Sequence, residues 1–243
     1  MEVLIGKEAN MQVTFQIKRY NPEQDSEPHW EDYQLDVDPK DRILDSLLTI
    51  KRTIDGTLTL RYSCAHGVCG SDGMMINGIN RLACQTLIQD LKSTTIKVEP
   101  LKGQEVLKDL VTDFDPFFET LEMVKPFLIN DELPPSRERF QSIADRERFD
   151  DTTKCIMCGI CTTSCPSFWA NGEYIGPAAF VNAHRFIFDS RDKGSKDRLE
   201  ILNDKDGVWR CHTIFNCTDA CPREINVTQA IAEIKNAITF KNI

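Results

Sequence analysis

Ten cysteines gathered into three short runs constrain this chain more than any other feature of its sequence. The first run is Cys64-x4-Cys69-x2-Asp72, with Cys84 further on. The second is Cys155-x2-Cys158-x2-Cys161-x3-Cys165-Pro166, and the third is Cys211-x5-Cys217-x3-Cys221-Pro222. Thiols spaced in this way are disulfide partners or ligands, and the compartment decides which. The first residues, MEVLIGKEANMQ, hold no basic stretch leading into an apolar one and are not Arg-rich, so neither an export signal nor a transit peptide is expected. In a reducing compartment the cysteines are expected to be metal ligands or catalytic thiols rather than disulfides. The triplets Asn216-Cys217-Thr218 and Asn226-Val227-Thr228 match a glycosylation pattern, a meaning they lose without secretion.

Composition narrows the rest. The 243 residues, 41% hydrophobic and 28% charged, suffice for one large domain or two small ones with a real core. A net charge of −9 repels phosphate backbones, so no nucleic-acid partner is expected. No stretch approaches the roughly 18 consecutive apolar residues of a membrane span.

Hydrophobic periodicity divides the chain. Met11, Val13, Phe15 and Ile17 alternate with polar residues, as do Tyr33, Leu35 and Val37, which predicts a hairpin around the loop Asn21–Pro28. Ile43, Leu44, Leu47 and Leu48 recur at helical spacing after Asp41, a plausible N-cap. Leu58 and Leu60 suggest a short strand. Met74–Ile76, Asn77-Gly78 and Ile79–Leu82 read as a second hairpin, and Ile96 with Val98 as a further strand. From Phe114 the pattern becomes helical: Phe114, Phe117, Phe118 and Leu121; then Pro177–Phe188; then Val227, Ala230, Ile231, Ile234 and Ile238, with Asn226 or Thr228 as cap. Residues 130–151, charged and holding Pro134-Pro135, read as a surface connection with a short helix. The boundary between a mixed sheet with one helix and a mainly α part is expected near residue 108.

The second run has the spacing that winds around a [4Fe–4S] cube. Its two-residue spacers let one tight loop place three thiolates on three irons, and the cysteine before proline turns away to another cluster. Zinc usually takes C-x2-C pairs separated by a longer insertion, which fits poorly here. On the same template the third run should carry cysteines at 211, 214, 217 and 221, but position 214 is Ile214. One iron is left without a ligand, so the expected species is [3Fe–4S]. By the crossed rule Cys165 joins Cys211 and Cys217 there, and Cys221 joins Cys155, Cys158 and Cys161. The first run has the plant-type spacing of a [2Fe–2S] site with Asp72 in the third slot, a hard oxygen donor beside Cys64, Cys69 and Cys84. Gly67, Gly70 and Gly73 let backbone approach the sulfurs. Their G-x-x-G-x-x-G spacing is not a dinucleotide fingerprint.

These three runs in this order resemble the iron–sulfur subunits of succinate dehydrogenase and fumarate reductase. The likeness is carried by Arg61-Tyr62-Ser63-Cys64-Ala65-His66-Gly67-Val68-Cys69-Gly70-Ser71-Asp72-Gly73, by Cys155 to Trp169 and by Cys211 to Pro222, and it extends over nearly the whole chain. It implies an α+β chain: a β-grasp plant-type ferredoxin domain at 1–108, then an all-α bacterial-type ferredoxin domain at 109–243. It also implies an electron relay within a succinate:quinone oxidoreductase. An FAD-containing partner oxidises succinate, membrane-anchor subunits hold the complex, and single electrons pass through the clusters to a quinone. Flavin and quinone each exchange two electrons across sites too far apart for contact, which is why one-electron carriers are needed. This chain would supply no catalytic residue for the carbon chemistry. The quinone edge maps onto Pro166, Ser167, Trp169, His212 and Ile214, with the Trp169 indole N–H offered to a quinone oxygen and His212 handling a proton. Some relatives carry a second aromatic residue where Ala170 stands. His29, His66 and His184 belong to no matched site, and His66 reads as solvent-exposed. The implied location is peripheral, on the cytoplasmic face of a bacterial or archaeal membrane. A fumarate reductase subunit running in reverse shares the layout. A free-standing soluble ferredoxin would be a monomer without partners, and a zinc scaffold would lack the roughly nine irons of three filled clusters.

Overall fold

Val13, Phe15 and Ile17 lie on one face of the first strand and are fully buried, as their alternation requires. In the computed structural model, which describes residues 10–241, this strand, β1 (Met11–Arg19), pairs antiparallel with β2 (His29–Val37). The N-terminal stretch read for a leader lies, except for its last residues, outside the described residues. Helix α1 (Ile43–Thr53) buries Ile43, Leu44, Leu47 and Ile50. Its N-cap is Arg42 rather than Asp41: the Asp45 carboxylate accepts the Arg42 N–H at 3.3 Å, whereas Asp41 accepts the N–H of Asp38. The hairpin of β3 (Gly73–Ile76) and β4 (Ile79–Leu82) turns through Asn77 and Gly78, both at positive φ. With β5 (Thr95–Glu99) these form a sheet of order β2-β1-β5-β3-β4, parallel between β1 and β5 and antiparallel elsewhere.

Leu58 and Leu60 are buried but form no strand. The Thr59 N–H between them donates to the Asp109 carboxylate at 2.8 Å instead of to a neighbouring strand. Asp109 also accepts the Tyr20 N–H and pairs with buried Arg19, each at 3.0 Å. These bonds tie residue 109 to the sheet-bearing part, and β6 (Val106–Lys108) pairs with β7 (Val111–Thr112) across it. The chain divides into two units at Asp113/Phe114, a few residues beyond 108.

The second unit is helical. In chain order it holds α2 (Asp115–Met123), α3 (Ile143–Asp150), α4 (Ile160–Thr163), α5 (Pro166–Ala170), α6 (Pro177–Ile187), α7 (Ser195–Leu202), α8 (Asn216–Asp219) and α9 (Val227–Phe240). The helix in the charged connection is α3, whose Ser142 cap accepts the Asp145 N–H. Helices α6 and α9 pack together, and Phe180, Val181, Ile187, Ile231 and Ile234 join one buried core with Phe117 and Leu121 of α2. Asn226 is the cap of α9, accepting the Gln229 N–H at 3.2 Å; Thr228 sits in the first turn. Arg198 of α7 is fully buried. It pairs with Asp192 and donates to the carbonyls of Val124, Lys125 and Phe127, fixing the chain just beyond α2.

Candidate metal centres

The loop from Cys64 coils because Ala65, Gly67 and Gly70 take positive φ (57°, 77° and 70°). Coiling turns its amides inward. The N–H groups of His66, Val68 and Cys69 point at Cys64 Sγ (3.5, 3.4 and 3.3 Å), that of Cys64 at Cys69 Sγ (3.4 Å), and that of Gly67 at Cys84 Sγ (3.2 Å). Amide dipoles converging on sulfur favour the thiolate. The Cys64 thiol accordingly falls to about 6, chiefly through the His66 N–H and then those of Cys69 and Val68. A Cβ at Gly67 would stand 2.2 Å from Gln85 Nε2, so the loop lies tight against the segment that carries Cys84. Helix α1 holds that segment: the Ile43 N–H donates to Thr86 O (3.0 Å) and the Leu44 N–H to Ala83 O (3.1 Å). Asp72, 2% exposed, accepts the Cys84 N–H at 2.6 Å. It also lies against the Cys84 thiol, which burial and then this carboxylate push up to about 12. Cys64, Cys69, Asp72 and Cys84 are thus brought together.

The two later runs are one motif folded twice. Cys155 ends a 3-10 turn (Asp151–Lys154), and Cys211 ends another (Val208–Arg210). Two and four residues further on, the backbone is left-handed in both: Met157 and Gly159 at φ 54° and 74°, Thr213 and Phe215 at 58° and 71°. A short helix follows, α4 bearing Cys161 or α8 bearing Cys217, and then Cys165-Pro166 or Cys221-Pro222. The threonine after each of these helix-borne cysteines reaches a long helix. Thr162 Oγ1 accepts the Ala178 N–H of α6 at 3.3 Å, and Thr218 Oγ1 accepts the Thr228 N–H of α9 at 3.0 Å.

Two thiol-lined cavities result. One is lined by Cys155, Cys158, Cys161 and Cys221 among apolar side chains such as Val181 and Ile225. The other is lined by Cys165, Cys211 and Cys217, with Ile214, Tyr174 and Ile231. Each takes one cysteine from the other run. All ten cysteines are free thiols. Burial pushes Cys158 up to about 12 and Cys161 well above its ordinary range, with the thiols of Cys158, Cys155 and Cys221 adding to the latter. Thiols that resist ionisation alone, in an apolar lining, suit a cationic group that displaces their protons. Among the described residues no three His, Cys, Asp or Glu side chains stand close enough to share a single ion. A tetrahedral zinc would need its four donors about 2.3 Å from one point. Sulfur donors in the second unit, and sulfur with one carboxylate in the first, fit iron–sulfur clusters.

Comparison with known proteins bears on the same two regions. Residues 14–119 match the family model of a 2Fe-2S iron-sulfur cluster binding domain, and residues 148–222 that of a 4Fe-4S dicluster domain. The succinate dehydrogenase iron-sulfur subunit of Coxiella burnetii is 43% identical over 225 residues, covering 92% of this chain and 95% of that one. The mitochondrial succinate dehydrogenase [ubiquinone] iron-sulfur subunit of Candida glabrata is 43% identical over 231 residues, 93% of this chain and 91% of that one. The chain belongs to the family of succinate dehydrogenase iron–sulfur subunits. A chain of the solved Mycobacterium smegmatis Sdh1 complex, in the apo form, superposes with a TM-score of 0.87 at 26% identity, over 96% of this chain and 98% of that chain. The order of domains, a sheet-rich 2Fe-2S region and then a helical 4Fe-4S region, is that of the family models.

For this family member the residues mapped to a quinone edge fall on two segments. Pro166, Ser167, His212 and Ile214 line the second cavity, and Trp169 is on α5, which begins at Pro166. The Trp169 ring is 40% exposed, but its indole N–H donates to Thr163 O at 2.8 Å, so the donor read from sequence as open to a ligand is engaged. The Ser167 hydroxyl donates to Arg210 O at 3.1 Å. His212 and Ala170 are exposed. His66 is exposed as expected, whereas His184 is buried, with Nε2 3.1 Å from Glu233 Oε2. Sequence reading missed Thr162 and Thr218, although Cys-Thr-x-x-Cys-Pro occurs twice and signals them. It also missed Asn182, whose Nδ2 lies 3.6 Å from Cys155 Sγ and which no local pattern announces.

Proposed function

We propose that this chain is the electron-transfer subunit of a succinate:quinone oxidoreductase. Cys64, Cys69, Asp72 and Cys84 would hold a [2Fe–2S] cluster; Cys155, Cys158, Cys161 and Cys221 a [4Fe–4S] cluster; and Cys165, Cys211 and Cys217 a [3Fe–4S] cluster. The observation that carries this reading is the pair of cavities in which each run of cysteines contributes one thiol to the other's lining. Bound there, the clusters supply reversible one-electron chemistry at potentials set by cluster type and surroundings. The chain's own residues hold the thiolates, aim amides at them, and shield them with apolar side chains.

The finer fold reading, a β-grasp plant-type domain before an all-α bacterial-type one, is supported by the central parallel β1–β5 pair with α1 and by the twice-folded cysteine motif. The partners are an FAD-bearing flavoprotein, which does the carbon chemistry, and membrane-anchor subunits. Trp169, Ile214 and Phe215 are exposed on the segments around the second cavity, and apolar surface of this kind fits an anchor and a lipid-soluble quinone. There His212 is the proton-exchanging group, and Trp169 offers its ring rather than its N–H. Among the described residues no helix is long and apolar enough to cross a membrane. The chain is placed peripherally, on the cytoplasmic face, through its anchors. The test is to purify it with its native partners, record redox-poised paramagnetic resonance spectra, and assay succinate-dependent quinone reduction. A colourless, iron-free chain, or one that copurifies with no flavoprotein, ends this reading.

A further inference from the structure

Asn182 on α6 is 7% exposed, and its Nδ2 lies 3.6 Å from Cys155 Sγ, a length ordinary for the large sulfur atom. The same Nδ2 lies 2.9 Å from Ala178 O, one turn back. A carbonyl oxygen only accepts, so the NH2 end of the amide faces it, and the second hydrogen of that end is the one aimed at sulfur. Asn182 interrupts the buried run Ala178, Ala179, Phe180, Val181 and Ala183. A buried amide in a helix interior is a costly choice without a partner. Nor is it required by the repeated motif. The twin threonine bonds align Ala178 with Thr228, and the same offset aligns Asn182 with Ala232, which has no donor.

We propose that Asn182 is a positioning residue that acts through Cys155 to raise the reduction potential of the centre held by Cys155, Cys158, Cys161 and Cys221. The inference rests on the cluster reading above. When one electron arrives from the partner flavoprotein, the centre gains one negative charge and no covalent bond of the protein changes. An N–H aimed at a ligating thiolate favours that added charge, most strongly in apolar surroundings.

The test compares the purified complex with its Asn182→Leu, Asn182→Ala and Asn182→Asp variants, each reduced stepwise and read by paramagnetic resonance to fit the midpoint of every centre. Leu and Ala are expected to lower the reduced-to-oxidised ratio of the four-cysteine centre about tenfold at fixed potential, a downward shift of about 59 mV for one electron. Midpoints of the other two centres should stay in place. Asp has nearly the shape of Asn but brings charge and no donor, and should lower the midpoint further. A midpoint unchanged in the Ala variant overturns the proposal, as does an equal shift of all three centres. So does loss of the centre with Leu while Ala keeps the normal value, since Asn182 would then only fill space. Wild-type protein without any iron–sulfur signal would instead overturn the cluster reading beneath it.

Discussion

Ile214 stands where the other copy of the motif has Cys158, between residues with the same left-handed backbone on either side. A sulfur at 214 would therefore be delivered to the second cavity much as Cys158 is to the first. Ile214→Cys is expected to convert the three-iron centre proposed for Cys165, Cys211 and Cys217 to [4Fe–4S]. Its oxidised-state resonance should vanish, and iron content should rise by about one per chain. If that resonance persists and the new thiol still titrates as free, the ligand assignment is wrong. A different residue-scale test concerns Arg198, whose side chain and that of Asp192 are both fully buried, 2.6 Å apart. Removing one partner of such a pair leaves an uncompensated charge in the interior. Arg198→Met should cost about 3–5 kcal/mol, read as a lower denaturant midpoint for loss of helical circular dichroism. A cost under about 1 kcal/mol would show that Asp192 finds other partners.

At the scale of elements, a threonine hydroxyl of each of the two later cysteine loops accepts an N–H from the first turn of a long helix. Thr162→Val should free the Ala178 N–H at the start of α6, and Thr218→Val the Thr228 N–H at the start of α9. Each should cost about 1 kcal/mol, as for loss of a cap. Hydrogen exchange should quicken at the freed amide of each variant and not at its counterpart; equal exchange in both would deny the link. Legibility follows the range of the forces. The strands β1 to β4 and the Asn77-Gly78 turn are visible because period and turn chemistry are local. So are the three runs of cysteines, because ligand spacing within a run is local. Leu58 and Leu60 mislead because the bond that withholds Thr59 from a ladder comes from Asp109, far along the chain. The Trp169 indole looks like an open donor until α5 brings it to Thr163 O. Asn182 reads as one polar residue on a helix until folding sets it against Cys155.

At the scale of the whole molecule, the two units should depend on iron to different degrees. In the first, Val13, Phe15, Ile17, Ile96 and Val98 are fully buried in strands of the sheet, while His66, Val68 and Cys69 of the cysteine loop are exposed. That core closes without the loop's cargo. In the second, Cys155, Cys161, Cys165, Cys211 and Cys221 pack directly against the core of α6 and α9. The cavities they line adjoin that packing, with Val181 of α6 and Val227 of α9 bordering one and Ile231 of α9 the other. Without iron, water admitted to them would solvate a largely apolar lining. Stripping iron with a chelator under reducing conditions is therefore expected to abolish exchange protection in α6 and α9 while that of β1 and β5 survives. Equal loss in both units would mean that the sheet is held up by its metal as well. Full protection of α6 and α9 in iron-free protein would mean that these helices close over the cavities unaided, and the clusters would then be passengers in the second unit rather than part of its core.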